Sequence, residues 1–244
     1  MQRVLLYQLI DRHQMKTEKL ASFLNYLEKE VLPATEDLAK LADANRKHIQ
    51  KLIYTNLVDR FDAMVDGLLL DNCRSEFLSD EATKGMSQPI TEADLVKLLM
   101  NSVDLQAAID EKLKASLRNS VLRERHSRKV SSLFSTFKID DSQKNIPRVN
   151  ISTGVILEKI KPQQSKVPYG ICGYADWLYS RRNAIVHGAG SNKFLKNDLV
   201  QLKRLYKSTP AATFRIKLAT IKNTAVFYQC VTGIISSAVE ALDG

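Results

Sequence analysis

Between Met1 and Val31 the chain has neither glycine nor proline, and Leu5, Leu6, Leu9, Leu20, Leu24, Leu27 and Val31 recur at helical spacing in its two ends. Long stretches without a breaker are the strongest constraint on the fold: nine Gly and six Pro in 244 residues favour helices. Pro33 ends the first helix or opens the next, since proline is tolerated in a first turn. From Ala34 to about Ser79 the apolar spacing continues through Leu38, Leu41, Ile49, Leu52, Ile53, Leu57, Phe61, Val65, Leu68 and Leu69, with a break expected near Asp43-Ala44-Asn45. Tyr54 to Leu70 is the most apolar part and should be central to the core. Asp59, Asp62 and Asp66 read as a solvated helix face, and His48, beside Arg46 and Lys47, as a surface residue.

Residues 79–90 read as a loop. Thr91 then caps a helix that runs to about Leu117, with Asp94 at the third position completing a capping box. A basic segment follows, Arg118 to Lys129, in which Arg123, Arg125, Arg128 and Lys129 are candidates for contact with a phosphate backbone. The other reading of that segment is a solvated helix face. Residues 131–170, broken by Pro147, Pro162 and Pro168 and carrying six Lys/Arg, form an irregular basic insertion in which Val149 to Ile160 is a short helix or an extended piece. Asn197-Asp198 caps a helix through Tyr206. Thr209-Pro210 starts a final helix that reaches about Leu242. The expected architecture is one all-α domain over residues 1–244, a four- to five-helix bundle with the 131–170 insertion.

Apolar content of 44% with 26% charge is that of a globular protein. No apolar run approaches the roughly 20 residues of a membrane span, so no membrane partner is expected. Cys73, Cys172 and Cys230 are odd in number and widely spaced, which suits neither a disulfide framework nor a zinc site and fits a reducing cytoplasm. No phosphate-binding glycine loop, dinucleotide fingerprint or His-Glu-x-x-His occurs, and the four His are far apart, so neither metal nor cofactor is expected. Charge is uneven: residues 1–117 carry a net −4, residues 118–166 a net +7 and residues 167–244 a net +6. A positive field over the second half would attract a polyanion.

Within that half, Arg181-Arg182-Asn183-Ala184-Ile185-Val186-His187-Gly188 ends a helical run that stops at Gly188-Ala189-Gly190-Ser191-Asn192. Asp176, Ser180, Asn183 and His187 make one polar stripe on that helix, and Ile171, Tyr174, Leu178 and Ile185 a separate apolar one. Arg182 lies about 140° round from His187, at about 100° per residue, so the two do not stack directly. Histidine gives and takes protons near neutrality, arginine offers a fixed fork to phosphate, and Asn183, one turn before His187, is placed to orient its ring or to donate to the scissile group.

The hexad Arg182-Asn183-Ala184-Ile185-Val186-His187 resembles the Arg-(polar)-x-x-x-His signature of the HEPN superfamily, and Gly188 its bacterial form. The resemblance is sharp over about eight residues and architectural elsewhere. It implies a helical-bundle dimer that cuts RNA without metal, leaving 2′,3′-cyclic phosphate and 5′-OH ends. Arg182, His187 and Asn183 are then the catalytic candidates, and Arg181 a further RNA contact. One His and one Arg per chain are few for acid–base cleavage, so a homodimer is expected, with Tyr174, Trp177 and Tyr179 as candidates for its interface. The expected setting is a bacterial toxin or defence effector, and an antitoxin or regulatory partner belongs with RNA among the partners. Some HEPN toxins carry a Tyr two residues after the His, which a nucleotidyltransferase antitoxin modifies. Ala189 stands there, so a stand-alone or defence ribonuclease fits better. The competing class is a non-catalytic basic helical module for RNA binding or scaffolding.

Overall fold

Residues 16–26 are helical and run without a stop into a π-helical turn, Leu27–Val31, and then into α2, Leu32–Leu38; residues 16–26 are here α1. The turn explains how a helix passes Pro33, which lacks an N–H and crowds the carbonyl four residues back. Leu32 donates its N–H to the Leu27 carbonyl, a five-residue step that widens the backbone just ahead of the proline.

The computed structural model describes residues 16–84, 86, 91–101, 105–140, 149–150, 153–156, 167–168, 170–207 and 210–243. The pattern expected over residues 1–15, the capping Thr209, Val103, and Lys144, Arg148, Lys159, Lys161 and Lys166 of the insertion lie outside them. After a break at residues 39–42 come α3 (Asp43–Asp71), α4 (Glu76–Lys84), α5 (Glu92–Asn101), α6 (Leu105–Asn119), a 3-10 turn (Val121–Arg123) and α7 (His126–Thr136). Then follow α8 (Ile171–His187), α9 (Lys196–Tyr206) and α10 (Leu218–Asp243). No strand occurs among the described residues, only isolated bridges. The all-α expectation holds.

The core is built round α3, whose Tyr54, Leu57, Val58, Phe61, Val65, Leu68 and Leu69 are wholly enclosed. Each large side chain so buried contributes about 2 kcal/mol. Phe61 stacks on Tyr228 of α10 at 3.9 Å, and Tyr54 donates its hydroxyl to the Leu178 carbonyl, which pins the middle of α8 to α3. By length and composition α10 would suffice to cross a membrane. Here its Ile221, Phe227, Tyr228, Val231, Ile235 and Val239 are buried in the core.

Several boundaries differ from the sequence reading. Residues 79–84 are the end of α4, not a loop, because Leu78 and Ala82 are buried in the core. The helix expected from Thr91 to Leu117 is described as α5 and α6, on either side of residues 102–104, which lie outside the described residues. Its capping box is present: the Thr91 hydroxyl accepts from the Asp94 N–H at 3.2 Å, and the Asp94 carboxylate accepts from the Thr91 N–H at 3.3 Å. The first residues of the 131–170 insertion belong to α7. Val149 to Ile156 contains an antiparallel bridge between those two residues, closed by Gly154 N–H to the Asn150 carbonyl at 2.7 Å. Asp198 does not cap α9 but lies in its first turn, behind the capping Leu195. Residues 210–217 are not helical: Phe214 and Ile216 are buried while Arg215 and Lys217 point outward, the alternation of an extended chain.

Candidate functional site

α8 is held on three sides, by α3, α7 and α9. Its apolar stripe, Ile171, Tyr174, Leu178 and Ile185, is buried as expected. It stops at Gly188, whose N–H caps the Ala184 carbonyl, and the next two residues take left-handed backbone, Ala189 at φ 52° and Gly190 at φ 76°. Glycine is required at Gly188 itself: a Cβ there would come within 2.3 Å of the Ala184 oxygen.

The polar stripe climbs from the interior to the surface. Asp176 is buried; its carboxylate accepts from Arg125 Nε at 2.9 Å and from the Tyr206 hydroxyl at 3.2 Å. Ser180 is buried and turned back to the Asp176 carbonyl. Asn183 is half-buried and His187 is exposed at the last position of the helix. Beside them stands Asp198 of α9, with Arg125 Nη1 at 3.7 Å. Burial holds the Asp198 carboxyl above the ordinary value; the charge of Arg125, a hydrogen bond from Asn183 and the charge of His187 draw it down, while Asp176 raises it. The sequence reading takes Asp198 as a helix cap and not as a site residue. The signal was present, since it falls in the first turn of a helix, where a carboxylate faces the helix dipole and a neighbour's end.

Arg182 takes the other side of α8. Its Nε donates to Asp59 of α3 at 2.6 Å and its guanidinium lies 5.6 Å from the centre of the Tyr179 ring. Nη1 donates to the side-chain Oδ1 of Asn183 at 3.3 Å, which links the two sides. Arg182 and His187 thus diverge, as their angular separation required, and Asn183 lies between them on α8.

Below Arg182 lies a second polar cluster. Lys129, 5% exposed, donates to Asp62 at 2.9 Å and to Asp66 at 2.8 Å, and His126 Nδ1 meets Asp62 at 2.7 Å. Tyr179 stacks flat on the His126 ring, 5.1 Å between centres. Burial works against charge on Asp62, yet the hydrogen bond and charge of His126, with those of Lys129, bring its carboxyl down to about 2. Asp66, half-buried and with less help, is shifted upward, chiefly by that burial. Asp59, Asp62 and Asp66 are therefore not a solvated face. Their i, i+3, i+7 spacing aims them at α7 and α8, because two cations and an imidazole wait there.

These facts redistribute the expected RNA contacts. Arg123 and Arg128 are exposed. Arg125 and Lys129 are engaged inside the chain. Arg181 is 5% exposed, with its guanidinium 4.4 Å from the Trp177 ring centre, 5.1 Å from Phe214 and 5.4 Å from Tyr54, and it donates to the Arg215 carbonyl at 2.7 Å. The aromatic residues expected at a dimer interface also turn inward. Tyr174 is core, edge-on to Phe227; Trp177 and Tyr179 are half-buried against the same core. The exposed apolar residue on α8 is Val186.

Comparison with protein-family models, with curated proteins and with solved structures gave no match.

Proposed function

We propose that this protein is a metal-independent endoribonuclease of the HEPN type, acting on unpaired RNA as a homodimer. The observation that carries the reading is an exposed His187 at the end of α8, with Arg182 bonded to the Asn183 side chain one turn earlier on the same helix. The imidazole is open to a substrate at the end of a helix that is otherwise locked in the core. Arg182 supplies a fixed charge for the phosphorane once its fork turns from Asp59 to the substrate.

In the reaction the 2′-hydroxyl loses its proton and its oxygen bonds to phosphorus. The P–O5′ bond breaks, and the departing 5′ oxygen takes a proton. The products are a 2′,3′-cyclic phosphate and a 5′-hydroxyl. His187 serves one of the two proton transfers, and its copy in a second chain serves the other.

The Arg182–Asp59 pair favours a second reading, in which Arg182 only ties α8 to α3 and the protein is a non-catalytic RNA-binding module. Labelled RNA in EDTA separates the two. Wild type should cut, and His187→Ala and Arg182→Ala should each slow cutting by at least about 100-fold, the size of a lost proton-transfer or oxyanion-type group. Binding by wild type without any cut product would leave the module reading in place.

A further inference from the structure

The amino-terminal turns of α3 and α10, the extended segment before α10 and the turn after α8 enclose an open cleft of about 760 Å3. Five cations line it, Arg46, Lys47, Lys51, Arg215 and Lys217, against one carboxylate, Asp43. Asp43 already engages Arg46 and, at 3.0 Å, Lys47. Arg215 and Lys217 have no carboxylate partner among the described residues.

Their placement follows from the extended chain. Phe214 N–H donates to the Asn192 carbonyl at 2.9 Å and Phe194 N–H to the Ala212 carbonyl at 3.0 Å, so the segment is laced to the turn that closes α8. With Phe214 and Ile216 buried, residues 215 and 217 must share the opposite face. The backbone of Arg215 is fixed again by Arg181, which donates to its carbonyl.

Two further features point to a ligand. Gln50 lines the cleft, is 6% exposed, and its amide has no hydrogen-bond partner among the described residues. Lys51 donates to the Gly190 carbonyl, three residues beyond His187, and an ammonium with three donors keeps others for the cleft. Ile216, Leu218 and Ala219 add an apolar wall.

We infer that this cleft holds the phosphodiester backbone of an RNA strand on its way to the α8 motif, with Arg215 and Lys217 as the principal phosphate contacts. Lys51 joins the cleft to the turn behind His187, which makes a continuous strand a better occupant than an isolated anion. That the polyanion is RNA rests on the ribonuclease reading; the excess of positive charge does not.

The test is anisotropy of a fluorescent, unstructured RNA of about 20 nucleotides across a salt series, in a His187→Ala background that prevents cutting. Arg215→Ala with Lys217→Ala should weaken binding at least about tenfold and flatten the slope of log affinity against log salt by about 1.4, two single-strand phosphate contacts. Both side chains are exposed, and the Arg181 bond uses the backbone of residue 215, so the melting temperature should hold. Lys47→Ala, on the surface of α3, should act in the same direction. Unchanged affinity and slope in the double variant would overturn the inference, whatever wild type does to RNA. If wild type fails to cut RNA while the double variant loses binding with the shallower slope, the cleft stands and the ribonuclease reading falls.

Discussion

Adjacent arginines on α8 do opposite work because one residue turns a helix by about 100°. Arg181 faces the core, where Trp177, Phe214 and Tyr54 surround its guanidinium; Arg182 faces the α3 carboxylates. Arg181 is thus a packing residue, and lysine is a poor substitute, since a compact ammonium neither lies flat on aromatic rings nor reaches with a fork. Arg181→Lys should lower stability by about 1–3 kcal/mol in denaturant melts, while RNA affinity of the folded protein stays unchanged. A lost affinity with unchanged stability would return Arg181 to the surface role that its sequence position suggested. His187, at the helix end, is the residue whose environment was legible beforehand. The glycine-rich stop told where α8 would end, and the last residue of a helix is open on one side.

At the scale of elements, α3 and α7 are clasped by Lys129 and His126 against Asp62 and Asp66. With its folded value near 2 against an ordinary 3.8, Asp62 contributes on the order of 2 kcal/mol above about pH 4, lost as the pH falls towards 2. Asp66 has the opposite sign: shifted upward, it takes its proton more readily in the folded chain and so offsets part of that loss. The stability gap between wild type and Asp62→Asn should therefore narrow between pH 5 and pH 2.5 in urea melts; a gap constant over that range would show that the clasp is not ionic. Helices with long apolar stripes were readable from spacing alone, α3 above all, and so was the Thr91–Asp94 capping box. α4 was not, because its buried Leu78 and Ala82 span about one turn, too short to show a period. Nor was the extended segment before α10, whose Thr-Phe-Arg-Ile-Lys alternation covers five residues and joins a long helical pattern without a break. The clasp itself escaped detection since three aspartates on one helix face look alike whether they meet water or a buried lysine.

For the whole molecule, the uneven charge in the sequence overstates what a ligand meets. Arg125, Lys129, Arg181 and Arg182 belong to the basic half, yet all four are turned to partners inside the chain. Among the described residues, the exposed cations of that half instead include Arg123, Arg128, Lys138, Lys193, Lys196, Lys203, Arg204, Lys207, Arg215, Lys217 and Lys222. The proposed homodimer likewise needs a face other than the expected aromatics, and Val186, exposed on α8 one residue before His187, is where it should be sought. Val186→Glu should shift the mass seen by light scattering from dimer to monomer and remove cutting with it; a fully active monomer would end the composite-site reading. The chain also has a single tryptophan, and it sits on the motif helix beneath a guanidinium. Its emission therefore comes from one place, which gives an unlabelled optical signal for whether α8 is seated against Phe214 and Tyr54 while RNA, salt or acid is added.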